Sequence, residues 1–418
     1  MDFEQRCCPE VSLRKVMSVF HVGKYFPPFR GGMENFLADL LKAQVRSGVK
    51  AAAIVHNHHR RLRGETSSMT GQLTGEDLSG DQQASLYRVP ILGRLLYAPI
   101  SPAFPFWLRR AIKTERPDIL HLHLPNTSAF WALLLPRARA IPWVIHWQAD
   151  VVSSAHDLGL RLAYPLYRPF EQWLLRRASV IVATSQNYLE SSSALAPWRD
   201  KCRVVPLGID PRHIPRISDD MRRHAERLWN NATLRILTVG RLTYYKGNEY
   251  LIEAVKSVPG ARLLIVGEGE RRAALSALIS ERGIADKVVL TGSLPHEEMH
   301  ALMASCHCFC LPSIERTEAF GVVLVEAMAH GKAVVTCDIK GSGVGWVVQN
   351  GRTGHVVPPG DSRALSETFV SLARNKEELD RLGREGVRRY RELFGIDRVA
   401  GQILRLYEDV VSGDAHGE

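Results

Sequence analysis

The stretch from Pro312 to Asp338, PSIERTEAFGVVLVEAMAHGKAVVTCD, constrains the fold more than any other part of the chain. It predicts the end of a strand, a loop with Glu318, a helix with Glu326 and then a further strand. The valines early in the helix favour strands. Good helix formers follow them, however, and Gly331 lies where the C-cap glycine of a helix belongs. The stretch therefore predicts a strand–loop–helix–strand unit of an α/β protein.

The two glutamates of this stretch indicate what could bind there. A helix start offers free backbone N–H groups and the positive end of the helix dipole, which suit an anion such as a phosphate. A carboxylate beside a phosphate cannot be its ligand, because both are negative. It must instead accept hydrogen bonds from hydroxyls, as on ribose or a sugar. A phosphate-binding helix start between Glu318 and Glu326 therefore predicts a nucleotide-sugar site.

Composition limits the classes of protein to which the chain can belong. Its 418 residues suffice for two domains, and 45% hydrophobic with 23% charged residues exclude a disordered chain. A net charge of +10 favours an anionic partner, whether nucleic acid, an anionic membrane or a phosphorylated substrate. We expect no membrane-spanning helix and no secretory signal. Seven cysteines without framework spacing suit a reducing cytoplasm.

Two groups of possible metal ligands are interpreted as structural. Cys306, Cys308 and Cys310 recur at period two, so we expect them on one face of a strand as small buried residues. They lack the C-x2-C spacing of structural zinc sites. His121 and His123 share one face of their strand and could bind a metal. No third ligand is evident from the sequence, so the pair is interpreted as satisfied, buried histidines, and no metal site is predicted.

The first half of the chain begins with a strand over 15–24 and a helix opened by Gly31 and Gly32, followed by a strand over 51–55. The glycine pair would let a diphosphate approach the backbone. A tight turn without a ligand explains the pair equally well. Residues 60–85, polar and rich in Gly and Ser, are predicted to form a surface loop or a mobile hairpin.

An aromatic and basic segment over 97–116 has two interpretations. With Trp107, Arg109, Arg110 and Lys113 it could rest on a membrane surface. It could equally be an ordinary helix with a solvated charged face, and we favour the membrane slightly.

After Pro206 the strand–helix pattern restarts, and a domain boundary is predicted near 205–215. Arg241 lies at the carboxyl end of the strand LRILTVG, and Lys246 follows in the loop. Ligands of open α/β sheets bind beyond this edge, where these two cations suit a diphosphate. Gly267 marks another strand-to-helix loop at the same edge. The pattern predicts two Rossmann-like domains facing across a cleft.

These motifs together resemble the retaining glycosyltransferases of family 4, which have the GT-B fold. The resemblance covers almost the whole chain and rests on PPFRGGMENF, DILHLHLPN, VGRLTYYKGNEYLIEA, LLIVGEGE and ERTEAFGVVLVEAMAHGKAVV. It implies an acceptor-binding domain over 1–205, a nucleotide-sugar-binding domain over 206–390 and a helix within 391–418 that crosses back to the first domain.

The resemblance also implies roles for individual residues. Arg241 and Lys246 would stabilise the leaving diphosphate, Glu326 would hold the ribose, and Glu318 would lie beside the donor sugar. The expected donor-binding set is Gly31, Gly32, Arg241, Lys246, Gly267, Glu318, Ala319, Phe320, Gly321, Val322 and Glu326.

One position departs from the family's pattern. A histidine is expected beside the reacting sugar where this chain has Gln148. If the strand WVIHW stays extended, His146 and Gln148 share a face toward the cleft, and Asp150 follows on that face. The catalytic candidates are therefore Arg241, Lys246, Glu318, Asp150, Gln148 and His146. A buried, structural His146 is the stronger of its two interpretations.

The resulting hypothesis is a cytoplasmic hexosyltransferase, peripheral on the inner face of the plasma membrane. It would act on a glycan or polyprenyl-diphosphate-linked acceptor in bacterial surface polysaccharide or lipopolysaccharide synthesis. No D-x-D motif occurs, so no metal or other cofactor is expected beyond the donor. The alternatives are a nucleotide-sugar epimerase of the same architecture and a non-catalytic nucleotide-binding module. No nucleic-acid-binding module is recognised.

Overall fold

The computed structural model describes residues 16–29, 31–57, 70–73, 84–95, 98–151 and 158–413. Strands and helices alternate along them, as expected of an α/β chain. The strands of the first half are β1 (Ser18–Val22), β2 (Lys50–His56), β3 (Thr70–Leu73), β4 (Ala84–Val89), β5 (Gly93–Leu95), β6 (Ala98–Ile100), β7 (Ile119–Leu124), β8 (Trp143–Trp147), β9 (Val180–Ala183) and β10 (Cys202–Val204). Those of the second half are β11 (Leu234–Val239), β12 (Ala261–Val266), β13 (Val288–Gly292), β14 (Cys308–Leu311), β15 (Ala333–Cys337) and β16 (Gly354–Val357).

Helices connect the strands of both halves. They are α1 (Gly32–Arg46), α2 (Phe104–Glu115), α3 (Trp131–Leu134), α4 (Pro136–Arg139), α5 (Leu158–Arg177), α6 (Gln186–Ser191), α7 (Asp219–Trp229), α8 (Asn248–Lys256), α9 (Arg272–Glu281), α10 (His296–Ser305), α11 (Val322–Ala329), α12 (Val344–Val347), α13 (Ser362–Arg374), α14 (Lys376–Arg389) and α15 (Ile396–Ser412). No helix among the described residues is long and apolar enough to cross a bilayer.

Each half is built on its own sheet. The first has eight strands in the order β10-β9-β8-β7-β1-β2-β4-β3, all parallel except the β3–β4 pair. The second has six parallel strands in the order β13-β12-β11-β14-β15-β16. Central strands such as β7, ILHLHL, are buried along their whole length. Such continuous burial follows when helices cover both faces of a parallel sheet.

The chain crosses between the two halves twice, and the crossings lie side by side. Ile209 N donates to Phe394 O at 3.0 Å, and Ile396 N donates to Ile209 O at 3.1 Å. α15 then lies against α1, where Gln44 Nε2 donates to Tyr407 Oη at 3.1 Å. The helix predicted within 391–418 therefore begins only at Ile396, because Gly395 is extended where it pairs with Ile209.

Other sequence-based boundaries need smaller changes. The first strand begins at Ser18 rather than at residue 15. The predicted loop over 60–85 lies mostly outside the described residues. Within it, β3 pairs antiparallel with β4.

Candidate functional site

Two helices begin opposite each other, one from each half of the molecule. A Cβ placed on Gly32, at the start of α1, would lie 3.4 Å from Val322 Cγ2, at the start of α11. The residues that precede the helices, Gly31 and Gly321, have no side chain with which to bond the first N–H groups. Both helix starts therefore present positive dipole ends to the same space, as an anion requires. At the start of α1 the Glu34 carboxylate already accepts a bond from its own backbone N–H.

The loop before α11 is held in a defined shape. Gly321 has a φ of 78°, a left-handed conformation that favours glycine. Ser342 Oγ donates to the carbonyl oxygen of Glu318, and Gly343 N donates to Ala319 O at 2.8 Å. These bonds fix the backbone that leads from Glu318 into the helix.

Lys246 and Glu318 form the central ion pair of the second half. Lys246 Nζ lies 2.6 Å from Glu318 Oε2, and Ser313 Oγ donates to the same oxygen at 3.0 Å. Although burial opposes the ammonium charge, the Glu318 carboxylate holds the pKa of Lys246 above its usual value. The structure thus brings together two residues that lie 72 positions apart in the sequence.

Two charged residues that the sequence analysis missed lie on the opposite side. Burial lowers the pKa of Lys24 and raises that of Glu34, and the charge of Arg241 acts on both. Lys24 and Glu34 line a small pocket together with Gln148. Lys24 directly follows β1 and Glu34 lies in the first turn of α1, so the rule that places ligands at strand ends could have indicated them.

Glu326 lies in the second turn of α11 and faces the first half. Burial, with repulsion from Asp39 of α1, raises the pKa of its carboxyl to about 7. Asp39 itself accepts a bond from Asp210 N at 2.8 Å. A carboxyl in such surroundings can accept hydrogen bonds from hydroxyls.

Packing explains the residue type at some positions that are expected to bind the sugar donor. Gly267 has a φ of 144°, and a Cβ there would lie only 1.9 Å from Gly240 O. The Phe320 ring is buried, with its centroid 6.4 Å from that of Trp346. These residues can offer a ligand backbone groups, while their side-chain size is set by the packing of the second half.

The strand end HWQAD differs from the expectation in part. His146 and Gln148 do share a face, since both contact His123. Gln148 lines the pocket, but His146 is fully buried and does not point to the cleft. Asp150 does not follow on that face, because β8 ends at Trp147 and the chain turns, so that Trp147 Nε1 donates to Asp150 Oδ1 at 2.8 Å.

Asp150 instead joins the two halves. Its Oδ2 lies 2.6 Å from Arg316 Nη1, on the loop before α11, and Ser192 Oγ donates to its Oδ1 at 2.7 Å. The Arg316 guanidinium also lies 4.2 Å above the Tyr188 ring. Both Asp150 oxygens are therefore engaged in contacts that position the loop of Glu318.

The histidine pair is buried, as predicted, but the expectation of satisfied side chains without a third histidine is wrong for His121. His21 of β1 pairs in register with His121, and the ring nitrogens of His21, His121 and His123 lie within 4.8 Å of one another. His121 Nε2 has no hydrogen-bond partner among the described residues. Parallel pairing between strands about 100 residues apart brings them together, and no local pattern shows that.

The prediction that the three cysteines are buried is confirmed. Cys306, Cys308 and Cys310 are all buried as free thiols. Only Cys308 and Cys310 belong to β14, since Cys306 ends α10.

Family models match both halves of the chain. Residues 31–208 match the glycosyl transferase 4-like domain, and residues 220–389 match glycosyl transferases group 1. The O-antigen chain mannosyltransferase C of Escherichia coli is 30% identical over 396 residues, which are 94% of this chain and 98% of that protein. The phosphatidyl-myo-inositol mannosyltransferase of Mycobacterium leprae is 31% identical over 337 residues, 78% of this chain and 82% of the relative.

Solved structures share the architecture. The sucrose-phosphate synthase of Thermosynechococcus elongatus aligns with a TM-score of 0.75 at 20% identity, over 95% of this chain and all (100%) of that one. HepE of Anabaena, in complex with UDP and glucose, aligns with a TM-score of 0.69 at 20% identity, over 94% of this chain and 100% of that one. At these identities the likeness concerns the fold, with two sheets facing a shared cleft.

Proposed function

This chain belongs to the group 1 glycosyltransferases and has their GT-B fold, and from that premise we propose that it transfers a hexose from a nucleotide-diphosphate sugar to a glycan or lipid-linked acceptor in bacterial surface polysaccharide synthesis. The observation that carries the proposal is the meeting of two helix starts, at Gly32 and Val322, beside the Lys246–Glu318 pair. A diphosphate placed there has backbone donors from both halves and a lysine within one site.

The positive groups act on the leaving diphosphate. Lys246 and Arg241 offset the charge that develops as the sugar–phosphate bond breaks, which is the kind of stabilisation that gains most in a site closed to water. Lys246 exchanges part of its interaction with Glu318 for the phosphate oxygens. Glu318, held by Ser313, then accepts hydrogen bonds from the sugar hydroxyls, and Glu326 accepts those of the ribose.

We further propose that transfer proceeds with retention by a front-face route. Gln148 lines the pocket beside Glu34, where its amide can orient a sugar hydroxyl but cannot take a proton. The leaving phosphate would then receive the proton of the attacking hydroxyl. This scheme assigns positive charge to side chains and helix starts and uses no metal at the diphosphate.

Mannose is the hexose we put first. The relatives that align over most of the chain include the O-antigen chain mannosyltransferase and the phosphatidyl-myo-inositol mannosyltransferases. A D-rhamnosyltransferase of Pseudomonas aeruginosa aligns over 60% of the chain, so a deoxy sugar related to mannose is the second choice.

A donor screen tests the proposal. Each nucleotide sugar is added to the purified protein, and the true donor raises the melting temperature, since saturation at a hundred times Kd stabilises by about 2.7 kcal/mol. The stabilising donor is then incubated with and without lipid-linked acceptors. Sugar transferred only with acceptor supports the proposal. Conversion of the donor to an epimer without acceptor, or binding without any product, refutes it.

The membrane partner of the proposal has a candidate surface on α5. Its outer face exposes apolar side chains at helical spacing, with Leu162 81% and Leu166 78% exposed. The other members of this apolar stripe are Leu158, Phe170 and Trp173. Arginines flank the stripe at 161, 168, 176 and 177. An exposed apolar stripe bordered by arginines suits the surface of an anionic bilayer.

The segment that the sequence indicated is less suited to this role. On α2 the Trp107 ring is only half-exposed and lies under Arg110, whose guanidinium is 5.6 Å from the ring centroid. Phe106 is the one large apolar side chain of α2 that is strongly exposed, at 62%, so α2 has no apolar stripe like that of α5. We therefore propose that α5 makes the main contact with the inner face of the plasma membrane and that α2 adds basic charge.

A further inference from the structure

Four histidines lie together inside the first half, on three neighbouring strands. His21 is on β1, His121 and His123 are on β7, and His146 is on β8. The strand register places His21 beside His121 and His123 beside His146. At most 6% of any of these side chains is exposed, so the cluster is closed to solvent.

The spacing of the ring nitrogens suits a single ion. One nitrogen from each of His21, His121 and His123 lies within 4.8 Å of the others. His21 Nδ1 and His123 Nε2 are 3.0 Å apart, near the ~3.3 Å that separates two nitrogens on one tetrahedral zinc ion. The His146 ring lies beside them, with its centroid 5.5 Å from those of His121 and His123. Its nitrogens lie outside the 4.8 Å group and must move closer to share the ion.

Hydrogen bonds among the histidines alone do not satisfy this cluster. In the described part of the chain, His121 Nε2 and both ring nitrogens of His146 have no partner. A neutral histidine carries one N–H, and a buried donor or acceptor without a partner is destabilising. These imidazoles are fully buried, and some of their nitrogens face only other imidazoles. A further ligand would satisfy those nitrogens.

We propose that His21, His121 and His123, with His146 as the fourth ligand, bind one zinc ion in the interior of the first half. Zinc suits an all-imidazole set, and four protein ligands without an open position are typical of structural sites. Its ion would hold β1, β7 and β8 together, and the site adjoins the small pocket of Lys24, Glu34 and Gln148, which His123 also lines.

In each of His21, His121 and His123, the ring nitrogen that does not face the proposed ion has a polar partner that would orient the ring. His21 Nε2 lies 2.8 Å from Gln44 Oε1, and His121 Nδ1 lies 2.5 Å from Tyr407 Oη. The side-chain amide of Gln148 lies against His123 Nδ1, and the Oε1 atom of Gln148 has no partner among the described residues. If the oxygen and nitrogen of this amide exchange places, Oε1 accepts a hydrogen bond from the Nδ1–H of His123. Metal-bound histidines usually donate their second N–H in this way.

Metal content tests the proposal. The full chain is purified with a tag that contains no histidine, treated with a mild chelator, and assayed for zinc by mass spectrometry. We expect about one zinc per chain in the wild type and in the control His224→Asn, which alters an exposed histidine on α7. His121→Asn and His123→Asn should lose it. The same comparison is made on protein refolded with zinc sulfate.

A conservative variant separates metal binding from folding. Tyr407→Phe keeps the ring and removes only the hydroxyl beside His121, so we expect a folded protein whose zinc affinity falls about 10–100-fold in competition with an indicator. Wild type that holds far less than one zinc both as purified and after refolding overturns the proposal. A folded His121→Asn that holds as much zinc as the wild type also overturns the proposal. So does a His224→Asn that loses as much zinc as His121→Asn.

Discussion

Lys246 illustrates how one residue serves both folding and chemistry. Its ammonium is bonded to Glu318 and lies 5.6 Å from the centroid of the Tyr245 ring. Because the pair is mostly buried, removal of one partner leaves the other charge without compensation. Any loss of activity in a variant must therefore be separated from a loss of stability.

We expect Lys246→Ala to reduce turnover by about 10²–10³-fold, the scale observed when one preorganised electrostatic donor is removed. Turnover is measured with saturating donor, after circular dichroism has shown a cooperative melt. Lys256→Ala, on the exposed side of α8, is the matched control and should stay near wild type. Near-normal turnover of folded Lys246→Ala would remove its role at the diphosphate.

The two glutamates should separate binding from catalysis. Glu326→Ala should weaken binding of the free nucleotide diphosphate, because a hydrogen bond to a charged group contributes about 1.5–3 kcal/mol. Glu318→Ala should leave that affinity close to wild type and lower turnover with the sugar donor. Titration calorimetry with the nucleotide measures the first effect. The opposite pattern, with affinity lost in Glu318→Ala alone, would reverse the assignment.

At the scale of elements, α5 is the unusual helix. Most helices bury their apolar face against a sheet, whereas α5 turns Leu162, Leu166 and their neighbours outward. Its buried side carries Glu171, which accepts a bond from Tyr164 Oη at 2.8 Å. Burial raises the pKa of that carboxyl to about 7, so a polar group shares the buried side with Leu174 and Leu175 while the apolar stripe faces outward.

We expect Leu162→Asp combined with Leu166→Asp to abolish flotation with anionic vesicles, because two charges would enter the apolar contact. The control is Leu92→Asp combined with Leu95→Asp, since these leucines are 68% and 64% exposed at a different place in the chain. Raised salt should weaken wild-type binding by screening the arginines. Equal flotation of both double variants would remove α5 as the membrane contact.

Local patterns predict elements well and fail for contacts between them. The helix around Glu326 and its glycine boundaries follow from a dozen consecutive residues. The contacts of Asp150 with Arg316 and of His121 with Tyr407 join positions 166 and 286 residues apart. Strand register and the return of the last helix create those contacts, and no spacing within a segment encodes them. The predicted place of Asp150 on the face of His146 and Gln148 is wrong for this reason.

At the scale of the whole molecule, Asp150 and Arg316 couple the two halves. We expect Asp150→Ala to lower turnover more than Gln148→Ala or His146→Ala, because the loop before Glu318 loses its anchor. Turnover of Asp150→Ala, Arg316→Ala and the double variant is compared in a cycle, with an expected coupling of about 0.5–3 kcal/mol. Additive effects in the cycle would contradict the coupling of Asp150 with Arg316. A larger loss of turnover in folded His146→Ala than in Asp150→Ala would contradict the ranking.

Acid should destabilise both halves through buried histidines. Burial lowers the pKa of His56 to about 4 and that of His300 to about 3, against a usual value of 6.5. Below pH 6.5 the unfolded chain binds protons that the folded chain excludes. Their contribution to stability is therefore complete above pH 6.5 and falls as the pH drops toward the folded values.

At pH 5 each of the two should reduce the free energy of unfolding by about 2 kcal/mol relative to pH 7. Urea denaturation at both pH values measures the effect. His300→Gln should show a smaller loss between them, and exposed His224→Gln should behave as wild type. The same pH dependence in all three proteins would exclude this cause.

The double crossing at Ile209 and Phe394 has a consequence for how a cell makes this protein. α15 belongs by its contacts to the half that is translated first, yet it leaves the ribosome after the whole second half. The roughly 190 residues between the crossings take about 10–40 s to synthesise. For that interval the nascent first half lacks Tyr407, so His121 and the face of α1 that contacts α15 have no partner from α15 until that helix emerges.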